Sequence, residues 1–329
     1  MTKTPQRRTL LVIGLLLLAS GTTSPARATD DPTCGGPMTP INAIQGAGDS
    51  SPLVGELVIT EGVLTADFSG RDQLRGFYLQ AAAPDENPAT SEGLFVYGRL
   101  PAGIQRGELL RLRGSVKEYQ GLTELEKPDL LARCGKIDIQ PLALERPAAV
   151  DESLEGMLVT FTSALVVNDN YQLGRYGELV LGSARHFVPT ELTADAADAK
   201  RIAASNQRDR IILDDGSRRQ NPEDISYLST PLSASHSVRL GGQVSGILAV
   251  IDQFKGEYKL QPLGPVSITP ANPRPVPPEK AADNTRVVSM NLGNLFNGEG
   301  RTRRFPTQRG ADTEKEYQRQ LAKIVATIV

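Results

Sequence analysis

The chain has no tryptophan, and phenylalanine and tyrosine together make up 5% of its 329 residues. An aromatic-rich stacking surface is therefore excluded as its main route to a ligand. Histidine occurs twice, His186 and His236, and cysteine twice, Cys34 and Cys134. None of these stand at zinc-ligand spacing, so a metal centre built on them is not expected. No Ser/His/Asp order, nucleotide-binding glycine loop or clustered set of metal ligands is present. A complete active site is thus not legible. The longest apolar run, residues 10–19, falls well short of the ~20 residues that span a bilayer.

What is there begins with an export signal. Lys3, Arg7 and Arg8 make a basic n-region, residues 10–19 an apolar h-region, and Ala26-Arg27-Ala28 a small-x-small cleavage pattern. Residues 1–28 read as a signal peptide cut near Ala28, delivering a secreted or periplasmic protein by the Sec route. A buried helix is the rival reading, and residues 6–11 also loosely match a twin-arginine signal. In an exported chain a lone cysteine pair is most simply a Cys34–Cys134 disulfide, with two free thiols as its rival. The signal segment and residues 284–329 each carry a net +4 against −2 for the whole chain, leaving −10 on residues 29–283. So acidic a body suits non-specific nucleic-acid binding poorly.

The body reads as short strands between Gly and Pro turns, at 57–64, 76–80, 93–97, 109–116 and 122–125. Such a set suits a small Greek-key barrel of the OB type over residues 29–150. The pattern recurs: Leu154-Glu155-Gly156-Met157-Leu158-Val159 echoes Leu53-Val54-Gly55-Glu56-Leu57-Val58, and residues 238–246 echo 107–116. A second OB-like barrel is expected over 151–270, with a helical insertion at 191–206. One larger β-domain is the alternative. Residues 271–283 are Pro-rich and read as a semi-rigid linker. Residues 284–329 open a different unit: a strand at 286–290, then a helix whose capping box is Thr313 and Glu316. Its Tyr317, Leu321, Ile324, Val325 and Ile328 share one face. About 45 residues of βα bury no core of their own.

Four local features carry chemistry. Leu213-Asp214-Asp215-Gly216 reads as a turn, with a cation loop as its rival. Arg175 and Tyr176 in one glycine-flanked loop, and Arg218 with Arg219 in another, are candidate nucleic-acid contacts, with solvated loops as the alternative. Asn291 is polar at the end of an apolar strand, and would ordinarily cap its own turn.

Several separated segments resemble a known family. Residues 286–296 with 309–313 and 320–324 look like the opening of the catalytic domain of secreted nucleases of the endonuclease/exonuclease/phosphatase superfamily. Residues 84–97, Glu155-Gly156-Met157, residues 174–179, 213–216 and 272–274 resemble the OB-fold-like region of bacterial extracellular nucleases of the ExeM type. That resemblance implies a mainly β region followed by the start of an α/β sandwich, and hydrolysis of phosphodiester bonds in extracellular DNA or RNA with Mg²⁺. Of the family's catalytic and metal-placing residues, it maps only Asn291; the rest would lie past Val329, in the chain's own downstream catalytic domain. The expectation is an accessory, substrate-positioning region and first βα unit of a nuclease. The 329 residues alone would be inactive and hold no metal. The alternative is a non-catalytic secreted OB-fold binding module.

Overall fold

In the computed structural model the described residues are 33–233, 236–270, 287, 289–297, 305–307 and 309–328. The expected signal peptide and linker lie outside them.

After a one-turn helix, α1 (Ile41–Gln45), come β1 (Leu57–Phe68), β2 (Gly76–Gln80), β3 (Gly93–Tyr97), β4 (Glu108–Tyr119) and β5 (Leu122–Lys136). They close a barrel in the order β1-β2-β3-β5-β4. Strand β1 is long because it serves two neighbours. Leu57 to Val63 pair with β4, and Val63 to Phe68 pair with β2. It must bend where it changes partner, and Gly62 sits at that point. A Cβ there would lie 2.8 Å from Leu79 Cβ and 2.9 Å from Ile41 Cδ1. Alternate side chains point inward, as the pleat requires. Val58, Leu64, Phe77, Leu79, Leu94, Val96, Leu110, Leu112 and Leu125 form the core, joined by Ile41 and Ile44 of α1. The barrel is of the OB type.

The N-terminal segment is held against this barrel in two ways. Cys34 and Cys134 form a disulfide. Arg111, on β4 and 0% exposed, donates to the Gly36 carbonyl (3.3 Å), the Pro37 carbonyl (2.8 Å) and Glu61 Oε1 (2.8 Å). A buried guanidinium needs such partners, because an unpaired buried charge is costly.

The next elements are β6 (Leu142–Leu144), β7 (Leu158–Phe161), β8 (Leu165–Asp169), α2 (Leu173–Tyr176), β9 (Leu179–Gly182), α3 (Pro189–Leu192), α4 (Ala196–Arg208) and β10 (Ile211–Leu213). Then follow β11 (Gln243–Ser245), β12 (Leu248–Phe254), β13 (Glu257–Pro262) and β14 (Ser267–Thr269). Hydrogen bonds link nine of these strands in the order β14-β11-β8-β9-β10-β13-β12-β7-β6. The segments β7 and β8 are consecutive halves of one stretch, as are β11 and β12. The first stretch pairs with the second through β8–β11 and β7–β12, so the path returns on itself. Counted as stretches, the order repeats that of the first barrel, down to a parallel third–fifth pair, β3–β5 there and β10–β13 here. The expected helical insertion is two helices, α3 and α4, separated where Asp195 caps α4 by accepting from Asp198 N (2.8 Å). The strand expected at 238–246 is shorter, limited to Gln243–Ser245.

The barrels pack face to face. Ala66, Phe68, Tyr78, Phe95 and Leu122 meet Leu158 and Val250 in one buried cluster. Gly93 and Gly156 let the two backbones cross: a Cβ on Gly93 would lie 2.1 Å from Gly156 C and 2.4 Å from both Glu155 O and Met157 N. Only a residue without a side chain permits that approach.

Beyond residue 286 the expected strand is not formed by Val287, Ser289 or Met290, while Arg286 and Val288 lie outside the described residues. A strand needs a neighbour to complete its hydrogen bonds. The helix does form, as α5 (Glu314–Ile328). Glu316 N donates to Thr313 Oγ1 (3.2 Å), and Glu316 Oε2 accepts from Asp312 N (2.7 Å). The reach-back of the capping box thus goes one residue further than expected. No described residue of α5 is buried, and no helix among the described residues is long and apolar enough to cross a membrane.

Candidate functional site

Two of the sequence's candidates come together. The loop after β8 carries α2 with Arg175 and Tyr176; the loop after β10 carries Arg218 and Arg219. Asn221 N donates to the Arg175 carbonyl at 2.8 Å and joins them. The turn between β1 and β2 of the other barrel then docks on the same place. Arg218 N donates to the Asp72 carbonyl (2.7 Å), and the Arg219 guanidinium holds the Asp72 carboxylate at 3.0 and 2.5 Å. Arg175 lies 5.2 Å above the ring of its neighbour Tyr176.

That turn brings further arginines, which local sequence patterns do not mark out. Arg71 and Arg75 flank Asp72 and are exposed. Arg75 is a non-glycine residue in the left-handed region (φ 64) and closes the turn by donating from N to Phe68 O (2.9 Å). Its carbonyl accepts from Gly98 N (3.0 Å), which sets exposed Arg99 beside it. Two arginines in a short turn are visible in the sequence. Their place beside Arg218 is not, because nearly half the chain separates them.

Beneath this surface the interface between the barrels is polar as well as apolar. Tyr78 Oη donates to Asp252 Oδ1 across the interface (2.8 Å), and Gln261 Nε2 donates to Asp252 Oδ2 (3.0 Å). Burial pushes the Asp252 carboxyl up to about 6, while the bonds from Tyr78 and Gln261 pull it down. Glu155, fully buried, accepts from Thr123 N (3.0 Å) and Gln45 Nε2 (3.3 Å) of the first barrel. Desolvation pushes it up to about 9, so it is protonated at neutral pH.

The Asp214–Gly216 segment is a turn. Asp214 Oδ1 accepts from Gly216 N (3.3 Å) and Asp215 Oδ1 from Ser217 N (2.9 Å). The charge of Asp214 is met from within the protein, by Lys259 Nζ at 2.9 Å, which also reaches Glu178 at 2.5 Å. Burial pulls the Lys259 ammonium down, but the two carboxylates outweigh it and hold it above its ordinary value. His186 Nε2 and Ser183 Oγ both bind Asp209 Oδ2, at 2.9 and 2.7 Å. Sharing one oxygen, they tie down the end of β9 and do not form a relay from hydroxyl to imidazole to carboxylate.

Asn291 is exposed, and its Oδ1 accepts from Gly293 N at 2.9 Å, closing its own turn. No group of three or more His, Cys, Asp or Glu among the described residues is placed to hold a metal ion.

Residues 138–271 match a family model described as "Domain of unknown function (DUF8508)", a span that takes in β6 to β14 of the second barrel. No curated protein matches the chain. A solved structure, "Structure of murine DNA binding protein bound with ds DNA", aligns over 66% of this chain and 100% of its own, at 10% identity and a TM-score of 0.26. That likeness is too loose to bear on fold or function. The second barrel is thus similar to a recognised sequence family whose activity is undefined.

Proposed function

We propose that this chain is the accessory region and first βα segment of a secreted, Mg²⁺-dependent nuclease of the endonuclease/exonuclease/phosphatase type, acting on phosphodiester bonds of extracellular DNA or RNA. In this reading residues 1–28 direct export. The two barrels position substrate, and residues 284–329 open the catalytic domain. The observation that carries it is the meeting of Arg175, Tyr176, Arg218 and Arg219 where the barrels join. Lys315 of α5 also pairs with Glu223, in the same loop as Arg218 and Arg219. The substrate-positioning surface and the start of the catalytic unit thus share a loop. Mg²⁺ would lower the pKa of the attacking water and offset charge on the phosphate, held by residues supplied downstream.

The test is cleavage of plasmid DNA and of RNA by two purified proteins: residues 29–329, and the same chain extended by its natural downstream sequence. The extended protein should cleave in Mg²⁺ and stop in EDTA, while the shorter one stays inactive. In the extended protein Asn291→Ala should lower kcat by up to ~10²-fold, the scale of one misplaced positioning group, at nearly unchanged Tm. An unchanged kcat with a lowered Tm would confine Asn291 to its turn. An extended chain that binds nucleic acid without cleaving it in any metal would instead favour a non-catalytic binding module.

A further inference from the structure

Basic side chains on the barrel walls are mostly spoken for. Arg113 pairs with Asp129, Lys117 with Glu126, Arg133 with Glu108 and Arg210 with Glu257. Where the barrels join, the pattern changes. Arg71, Arg75, Arg99, Arg175 and Arg218 are all exposed, and none forms an ion pair among the described residues. They belong to four loops from two barrels. The backbone bonds described above fasten these loops to one another, from Gly98–Arg75 through Asp72–Arg218 to Asn221–Arg175. Five exposed arginines without an ion-pair partner are thus carried on linked loops, Arg175 over the Tyr176 ring, in a body whose net charge over residues 29–283 is −10. No lysine is among them. Guanidinium presents a planar fork of donors that matches phosphate oxygens in pairs and sheds water more easily than ammonium.

The same loop as Arg175 also carries Tyr171, 83% exposed. A phenol ring so exposed, four residues from Arg175, is a stacking surface for an unstacked base. In a duplex the base faces are already covered. An anionic membrane would require apolar side chains entering the bilayer beside the charges. Of the large exposed apolar residues, the cluster Phe187, Val188 and Leu192 lies instead on the insertion between β9 and β10, and only the aromatics Tyr97 and Tyr171 share loops or strand ends with these arginines.

We infer that this arginine band, with Tyr171 at one end, binds single-stranded nucleic acid by its backbone phosphates and one stacked base. The outward face of β2 and β3, the customary ligand face of an OB barrel, is not available: Tyr78 and Phe95 are buried there against Leu158 and Val250. The strand must therefore run across the junction, touching loops of both barrels. The identity of the ligand rests on the nuclease reading; the location of the site does not.

The experiment is fluorescence anisotropy with residues 29–329 in EDTA, so that cleavage plays no part. The probes are a labelled strand of about 20 nucleotides, longer than the ~4–16 one OB barrel covers, a hairpin duplex, and vesicles containing phosphatidylserine. The single strand should bind most tightly. For every phosphate that the protein no longer neutralises, the slope of log affinity against log salt should become shallower by ~0.7. The double variant R71E/R218E should bind at least ~10-fold more weakly with a shallower slope, whereas R208E, on α4, should bind as the parent does. Tyr171→Ala should weaken single-strand binding by roughly 5- to 100-fold and leave duplex binding alone. Equal affinity of R71E/R218E and parent, or tighter binding to vesicles or duplex, overturns the inference. Mg²⁺-dependent cleavage by the extended chain alongside unchanged binding by R71E/R218E would sink this site but not the nuclease reading. Weakened binding by R71E/R218E in a chain whose extended form never cleaves would do the reverse.

Discussion

The two barrels share one strand order and differ in almost everything else. In the first, β1 and β4 run unbroken for 12 residues each, α1 plugs one end, and a disulfide pins the N-terminal segment. In the second, the corresponding stretches are each broken in two. A pair of helices interrupts one hairpin, and residues 214–242 form a long connection before β11. The order survives because it depends on which strands can hydrogen-bond within a closed ring, and breaks in a strand leave that unchanged. The connections are free to lengthen, since closing a longer loop costs little extra. The second barrel's long connections carry Arg175, Arg218 and Arg219, while the first contributes a tight turn that docks on them. Strand order is thus a matter of stability, and the candidate site is a matter of loops.

The sharpest way to break the comparison is to separate the barrels. Gly93→Ala places a Cβ against the backbone of Gly156, with no flexible side chain to give way. Undocking or severe strain should follow, lowering stability by roughly 3 kcal/mol or more. Urea unfolding should split from one transition into two as the barrels lose each other's support. A single transition at the parent midpoint would show that the crossing has room to spare.

Reduction tests the first barrel alone. The Cys34→Ser/Cys134→Ser variant should lose ~2–5 kcal/mol, the chain-entropy model giving about 4.7 as an upper figure for a loop of this size. Hydrogen exchange should quicken in β1 to β5 and hold steady in β8 to β10. Faster exchange spread evenly over both barrels would mean that they unfold as one unit.

A smaller effect is expected from pH, and it belongs to the interface. Glu155 and Asp252 both have carboxyls raised by burial, so folding favours their protonated forms. Their stabilisation is complete at acid pH, below the unfolded values near 4. It declines as pH rises through about 6 for Asp252 and about 9 for Glu155. Denaturation midpoints should therefore fall from pH 5 to pH 9. Asp252→Asn should remove the lower step and Glu155→Gln the upper. A stability that rises over this range would mean that neither carboxyl is desolvated in solution.

Much of the first barrel was legible because inward and outward residues alternate with period two: the expected strands at 57–64, 76–80, 93–97, 109–116 and 122–125 fall within β1 to β5. The disulfide was legible from the lone cysteine pair. The helix of 314–328 was announced by Thr313 and Glu316, whereas the strand before it was overstated, since apolar residues in a row do not supply a pairing partner. Residues quoted for the family resemblance, Gly93 and Glu155-Gly156-Met157, turn out to meet at the crossing between the barrels.

By itself the sequence determined the mainly β character, the strands of the first barrel, the helical insertion and the covalent staple, because each depends on local periodicity, local capping or simple counting. Tertiary structure alone decided that both faces of β2 are buried. It alone gave Asp214 to Lys259 and not to an outside cation, and set Arg71 and Arg75 beside Arg175 and Arg218. The reason is range: alternation and caps act over a few residues, whereas burial of a second face and the neighbours of a loop depend on partners 45 residues away for Asp214 and Lys259, and 174 for Tyr78 and Asp252.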